Sequence, residues 1–379
     1  MLPAYWNSTH HALKDSLDGW TQQHIQPHAE AWEESGQIPD DLFEVAAEAG
    51  IMGVGFSEDL GGSGGDIFHS LIVSESLIRG GSTGTAVMLG IHGIALPPIL
   101  ALGTEQQKRT WIPGVLMGQK VACLGVTEPG AGSDVAGIQT TARRDGDDYV
   151  INGGKTFITA GGRADFVTLL ARTGVDPHAD LTFFLVPKSA PGFHVGRNLK
   201  KMGWWASDTA ELFFENCRVP AENRLGAEGS GFAGAMSNFA SERLILAGNC
   251  VAIAQLALDK SVDYAKHRNA FGRTIGQFQV VRHQLAEMAT KTAAARAFVS
   301  TIAEKFRAGS DVTTDAAMAK NCAVEACSFA TDTAVQIHGG MGYMRESLVE
   351  RLYRDARVYP IGGGTTEIMR EMIGRGLIE

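Results

Sequence analysis

Gly125-Val-Thr-Glu-Pro-Gly-Ala-Gly-Ser-Asp-Val-Ala-Gly137 is the most informative stretch of this chain. It follows an apolar, strand-like run, Val121-Ala-Cys-Leu124. Its four glycines let the backbone approach a flat or phosphorylated ligand closely, and successive N–H groups in such a turn form an anion-binding nest. Thr127 and Ser133 add hydroxyl donors. By itself a glycine-rich loop is as consistent with a plain turn as with a ligand site.

A second run lies far downstream, Gln336-Ile-His-Gly-Gly-Met-Gly-Tyr-Met-Arg-Glu346, continuing through Arg351 to Asp355. Together the two resemble the paired signature patterns of the acyl-CoA dehydrogenase family. Gly125, Thr127, Glu128, Gly132, Ser133, Asp134 and Gly137 fit the first pattern. Gln336, Gly339, Gly340, Gly342, Glu346, Arg351 and Asp355 fit the second. The likeness extends over essentially the whole chain. It implies an N-terminal α-helical domain, a middle antiparallel β-barrel and a C-terminal four-helix bundle, with FAD and an acyl-CoA thioester held between them.

Composition sets the frame around that resemblance. At 379 residues, with 44% hydrophobic and 20% charged, the chain is long enough for two or three domains around a sizeable core. A net charge of −9 argues against nucleic acid and anionic membrane surfaces as partners. It leaves room for an anionic ligand met by a local basic patch. Five cysteines without CxxC spacing point to a reducing compartment rather than disulfides or zinc. His24 and His28 stand four apart, but Pro27 intervenes and no third ligand follows, so no metal is expected. The first twenty residues look like neither a signal nor a transit peptide, and no apolar run looks long enough to cross a bilayer. A cytoplasmic protein, or the mature form of an organellar matrix enzyme, is expected.

Three zones divide the chain at about 120 and 230. Up to 120 the pattern is helical, with acids opening a helix at Asp40-Asp41 and Pro97-Pro98 breaking or kinking another. From 121 to 230 strand candidates alternate with turn clusters, and Asn152-Gly153 reads as the turn of a hairpin. From 231 to 379, with no proline between Pro220 and Pro360, long amphipathic helices are expected to pack as a bundle.

The family oxidises an acyl-CoA to its trans-2-enoyl form, so a carboxylate must take the α-proton. Many members carry that base as the Glu of a Tyr-Glu-Gly-Thr segment. Here the segment is Gly362-Gly363-Gly364-Thr365, and glycine cannot abstract a proton. Glu242, in Phe239-Ala-Ser-Glu-Arg-Leu-Ile-Leu-Ala-Gly248, resembles the alternative base of the long-chain and isovaleryl types; a solvated surface glutamate is the plain alternative. Resemblance assigns Ser133, Arg243 and Gly363 to the substrate. It assigns Leu124, Val126, Thr127, Gly132 and Ser133 to one edge of the flavin, with Phe157, Ile158 and Thr159 stacking on and hydrogen-bonding the isoalloxazine. It brings Arg268, Phe271 and Gln279 from a neighbouring subunit to the adenine–pyrophosphate end, completed by Gln336, Gly339, Gly340, Thr365 and Glu367. That sharing implies a dimer at least and the family's usual homotetramer.

The segments around Asp208 to Glu215 and Pro360 to Met369 look more like the long-chain type. Medium-to-long or methyl-branched acyl chains, with electrons passed to an electron-transfer flavoprotein, are therefore the leading expectation. A flavin oxidase or monooxygenase on the same scaffold, and a noncatalytic flavin- or acyl-CoA-binding homologue, are the alternatives. The pair Trp204-Trp205 is expected to serve packing, with partner docking as the other role.

Overall fold

The computed structural model describes residues 1–176 and 179–378, with positions 233 and 235–238 described by their backbone alone. The first zone folds into α1 (Ser8–His24), α2 (Ala29–Ser35), α3 (Leu42–Glu48), α4 (Ile67–Arg79), α5 (Thr83–Gly90), α6 (His92–Ala95), α7 (Pro97–Leu102), α8 (Glu105–Trp111) and α9 (Pro113–Leu116). Three of these, α1, α4 and α8, begin on reciprocal caps, Thr104 and Gln107 forming the one at α8. Asn7 accepts from Thr9 and His10 at the head of α1, and Asp66 accepts from Phe68 and His69 at the head of α4. Such caps satisfy N–H groups that the first turn leaves free. Pro97 opens α7 at its first position, where a missing N–H costs nothing.

The middle zone contributes β1 (Ala122–Gly125), β2 (Thr141–Asp145), β3 (Asp148–Thr159), β4 (Phe166–Arg172), β5 (Leu181–Pro187), β6 (Phe193–Asn198), β7 (Thr209–Pro220) and β8 (Arg224–Leu225). They form one sheet in the order β6-β7-β3-β2-β4-β5-β8, with β1 added beside β4. Pairing is mostly antiparallel; β1 and β2 run parallel to β4.

The hairpin expected at Asn152-Gly153 is absent: β3 runs straight through it. The chain turns instead at Gly146-Asp147, between the paired Asp145 and Asp148, with Gly146 at φ +64°. Gly153 serves a different end. The register of β3 against β7 slips between Ile151 and Gly153, and a Cβ on Gly153 would lie 2.5 Å from Thr140 Oγ1. The glycine marks a bulge under close approach, not a reversal.

The last zone holds α10 (Gly231–His267), a small hairpin of β9 (Asn269–Ala270) and β10 (Arg273–Thr274), α11 (Gln279–Arg307), α12 (Thr313–His338), α13 (Leu348–Ala356) and α14 (Thr366–Ile378). Helices α10, α11 and α12 pack on one another, α14 lies on α12, and α4 packs against α10. The expectation that no run could span a bilayer needs correction. By length and apolarity Phe239–His267 would suffice, and most of that window is buried in the protein. Its apolarity is used by the bundle core, where Leu244, Ala247, Cys250, Val251 and Ile253 are fully buried.

Candidate active site

The glycine-rich turn leaves the end of β1 and is braced from beneath. Glu128 is buried, and its carboxylate accepts from the Gln139 N–H at 2.6 Å, the Thr140 N–H at 2.9 Å and Lys155 Nζ at 2.8 Å. Lys155 also donates to the Val126 carbonyl. Burial alone would raise the Glu128 carboxyl, but Lys155 and the hydrogen bonds hold it below the usual range. With this brace in place, Gly132 and Ser133 lie exposed at the rim. Leu124 and Val126 are half-buried in an apolar cluster that also takes in Phe239 of α10. The turn and the bundle helix therefore share packing.

Strand β3 runs beneath this turn, and the Thr156 N–H donates to the Thr127 carbonyl. The register of β3 slips again between Lys155 and Ile158, and Phe157 takes φ +59°. The bulge turns the ring out of the sheet, leaving Phe157 68% exposed. A strand phenylalanine is normally core, so a solvent-facing ring on a left-handed backbone is a departure that leaves its flat face free. Thr159 is half-exposed. Ile158 is buried, so only its main chain is left to meet a ligand.

Glu242 lies one turn beyond Phe239 on α10, half-buried, and its carboxylate has no hydrogen-bond partner among the described residues. Burial raises its carboxyl above the usual range, against the pull of Arg243 and Lys320. The triple-glycine turn lies beside it. A Cβ built on Gly363 would stand 3.6 Å from Glu242 Oε1, 3.7 Å from Lys320 Nζ and 2.3 Å from Leu246 Cδ1. The slot emptied of one carboxylate thus adjoins the carboxylate offered by the helix. Gly363 also sits at φ +64°, so glycine is favoured there by backbone and by space alike. Arg243 is buried with its guanidinium 5.2 Å from the Phe239 ring centroid, and its Nε has no partner among the described residues.

Family models for the acyl-CoA dehydrogenase N-terminal, middle and C-terminal domains match residues 7–119, 123–217 and 229–378 in that order. The chain belongs to the acyl-CoA dehydrogenase family. It is 38% identical over 376 residues to the mitochondrial long-chain specific acyl-CoA dehydrogenase of Sus scrofa, covering 98% of this chain and 87% of that one. A crystal structure of a probable acyl-CoA dehydrogenase from Mycobacterium abscessus superposes with a TM-score of 0.96 at 47% identity, covering 98% and 99% of the two chains. An acyl-CoA dehydrogenase from Bacillus anthracis, solved in complex with FAD, superposes at 0.94 with 31% identity, covering all of this chain and 68% of that one. In acyl-CoA dehydrogenase terms, the middle-domain match holds the glycine-rich turn and Phe157. The C-terminal match holds Glu242, Lys320 and Gly363.

The remaining expected residues of this family enzyme do not gather at Glu242. Arg268 caps the far end of α10, some 26 residues or ~39 Å along the helix from Glu242. Arg268, Phe271 and Gln279 are all exposed there, and Phe271, at φ +51° in the β9–β10 turn, is 94% exposed. Tyr264 stacks on His338 with centroids 4.2 Å apart. That contact brings the end of α12, with Gln336, Gly339 and Gly340, to the same pole. Thr365 accepts from the Ile368 N–H and so caps α14, while Glu367 is exposed beside it.

Trp204 and Trp205 do pack: Trp204 lies edge-on to Tyr359, and Trp205 carries the Arg345 and Arg354 guanidiniums on its ring. His24 stacks on Trp20 and His28 on Trp32. Sequence reasoning missed Lys320. The visible signal for Lys320 was a lone lysine in the alanine-rich run Ala316-Ala-Met-Ala-Lys320.

Proposed function

We propose that this acyl-CoA dehydrogenase removes the α-proton of an acyl-CoA thioester with Glu242 and yields the trans-2-enoyl-CoA. What supports the reading is the Glu242 carboxylate standing beside Gly363, without a hydrogen-bond partner among the described residues and raised toward the proton affinity a carbon-acid base needs. Gly363 leaves room over the thioester, Arg243 offers the coenzyme A portion a buried Nε that has no partner among the described residues, and Ser133 offers a hydroxyl at the rim.

Residues fit for FAD are present: the exposed Phe157 ring, Thr127 in the glycine-rich turn, Thr159 at the end of β3, and the exposed rim at Gly132. FAD, when bound, accepts the hydride released from the β-carbon. The pole at Arg268, Phe271, Gln279 and Gln336 is too distant along α10 to touch the same dinucleotide within one chain. It therefore supports sharing between subunits of a homotetramer. A nearly bare phenylalanine at the tip of a turn favours such an interface.

The acyl chain is read as medium-to-long or methyl-branched and the acceptor as an electron-transfer flavoprotein, in the cytoplasm or an organellar matrix, with domain divisions at 120 and 230. The test is anaerobic mixing with a panel of acyl-CoAs while following the oxidised flavin band. Wild type should bleach with its preferred chain length, and Glu242→Gln should bleach on the order of 10²–10⁴-fold more slowly while still binding acyl-CoA. Unchanged bleaching in Glu242→Gln would refute the assignment, and rapid peroxide release in air would favour an oxidase.

A further inference from the structure

Helix α12 buries one ammonium group. Lys320 is 1% exposed and sits among Ala316, Ala317, Ala319 and Ala323, all fully buried. A lysine is rarely found in such a place unless its protons are satisfied. Nζ donates to two main-chain carbonyls, those of Gly362 and Gly364. These are the residues on either side of Gly363. Nζ and Glu242 Oε1 also lie at nearly equal distances, 3.7 and 3.6 Å, from the point where a Gly363 side chain would begin.

We propose that Lys320 is the positioning residue of the dehydrogenation, clamping the triple-glycine turn beside α10 while its charge keeps Glu242 available as the base. The inference rests on Glu242 being that base. The clamp is geometric: two hydrogen bonds to flanking carbonyls hold Gly363 in its left-handed conformation. The charge acts separately. Two further charged or titratable groups bear on the Glu242–Lys320 pair, both from α10: Arg243 acts on each member, and the Cys250 thiol bears on Lys320. Burial drives that thiol well above its ordinary range, so it stays neutral at working pH. The turn itself, Gly362-Gly363-Gly364, brings no ionisable group. With Lys320 neutralised, only Arg243 opposes the burial of Glu242.

The experiment compares holoenzymes of wild type, Lys320→Gln, Lys320→Met and Lys320→Arg, recording the rate of flavin bleaching by acyl-CoA from pH 5 to 9. Removing the charge should move the acid limb upward by about one unit, within the range that nearby opposite charges produce, or roughly a tenfold loss of rate below the limb. Lys320→Arg should keep the limb in place while altering the maximal rate, because the longer guanidinium cannot repeat both carbonyl contacts. A purely structural lysine would lower thermal stability in all three variants and leave the limb unmoved, and that result overturns the proposal. A crystal structure of the wild-type holoenzyme with Nζ beyond hydrogen-bond distance of both carbonyls overturns it as well, however the variants fold. If Glu242→Gln bleaches normally, the base assignment itself fails. If Glu242→Gln is inactive and the limb does not move in Lys320→Gln, only the role of Lys320 fails.

Discussion

Gly363→Ala tests whether the turn and the helix are matched to one another. Two costs arise from the structure. Alanine at φ +64° carries the left-handed penalty, about 1–2 kcal/mol. Its Cβ would come 2.3 Å from Leu246 Cδ1, and relieving that overlap by pushing a packed leucine off its rotamer costs about 1–3 kcal/mol. The contacts to Glu242 and Lys320 are ordinary in length and add nothing.

The sum is about 2–5 kcal/mol, or a fall in melting temperature of roughly 4–10 °C at about 2 °C per kcal/mol for a long chain. Introducing Leu246→Ala first removes the obstacle but not the backbone strain. In that background the added cost of Gly363→Ala should shrink to about 1–2 kcal/mol, leaving a coupling of about 1–3 kcal/mol in the double-mutant cycle. Differential scanning calorimetry of the four holoenzymes measures this, with acyl-CoA-dependent flavin bleaching as the functional readout. A cycle that sums without coupling, or a Gly363→Ala melt indistinguishable from wild type, would show that Leu246 does not fill the vacated slot.

Two further outcomes follow from other buried charges. Glu128→Ala leaves Lys155 buried without its partner and strands the Gln139 and Thr140 N–H groups. About 3–5 kcal/mol of stability should disappear, with flavin released on gel filtration, whereas Glu128→Met with Lys155→Met should lose less than the single change; equal losses would contradict the brace. Asp355, fully buried, is pushed up to about 7 by burial and by Glu33, against the Trp204 N–H, Arg354 and Arg351. Its carboxyl binds a proton in the fold that the unfolded chain, titrating near ~4, releases. Stability should therefore fall as pH climbs from about 4 to about 7, and Asp355→Asn should flatten that slope in melting curves taken across the window. A slope equally steep in the variant would place its origin elsewhere.

Order and chemistry were legible in the chain itself. Two glycine-rich patterns, a helical zone, a strand zone and a proline-free helical zone are local properties, carried by periodicity and turn residues. The missing carboxylate at position 363 and the available one at Glu242 were likewise visible as residue types. Asn152-Gly153 misled because the same dipeptide suits a tight turn or a bulge, and Thr140 crossing close above decides which. Phe157 read as core or as cofactor platform until a register slip against β7 turned it outward. The expected pairing of Glu242 with the Gly363 slot rested on resemblance, and the place of Lys320 beside both could not be read at all, since the three lie on segments far apart in sequence. Packing of α10 on α12 brings them together, and whether a half-buried carboxylate meets a vacant slot or bulk water is a matter of distances that only the assembled bundle sets.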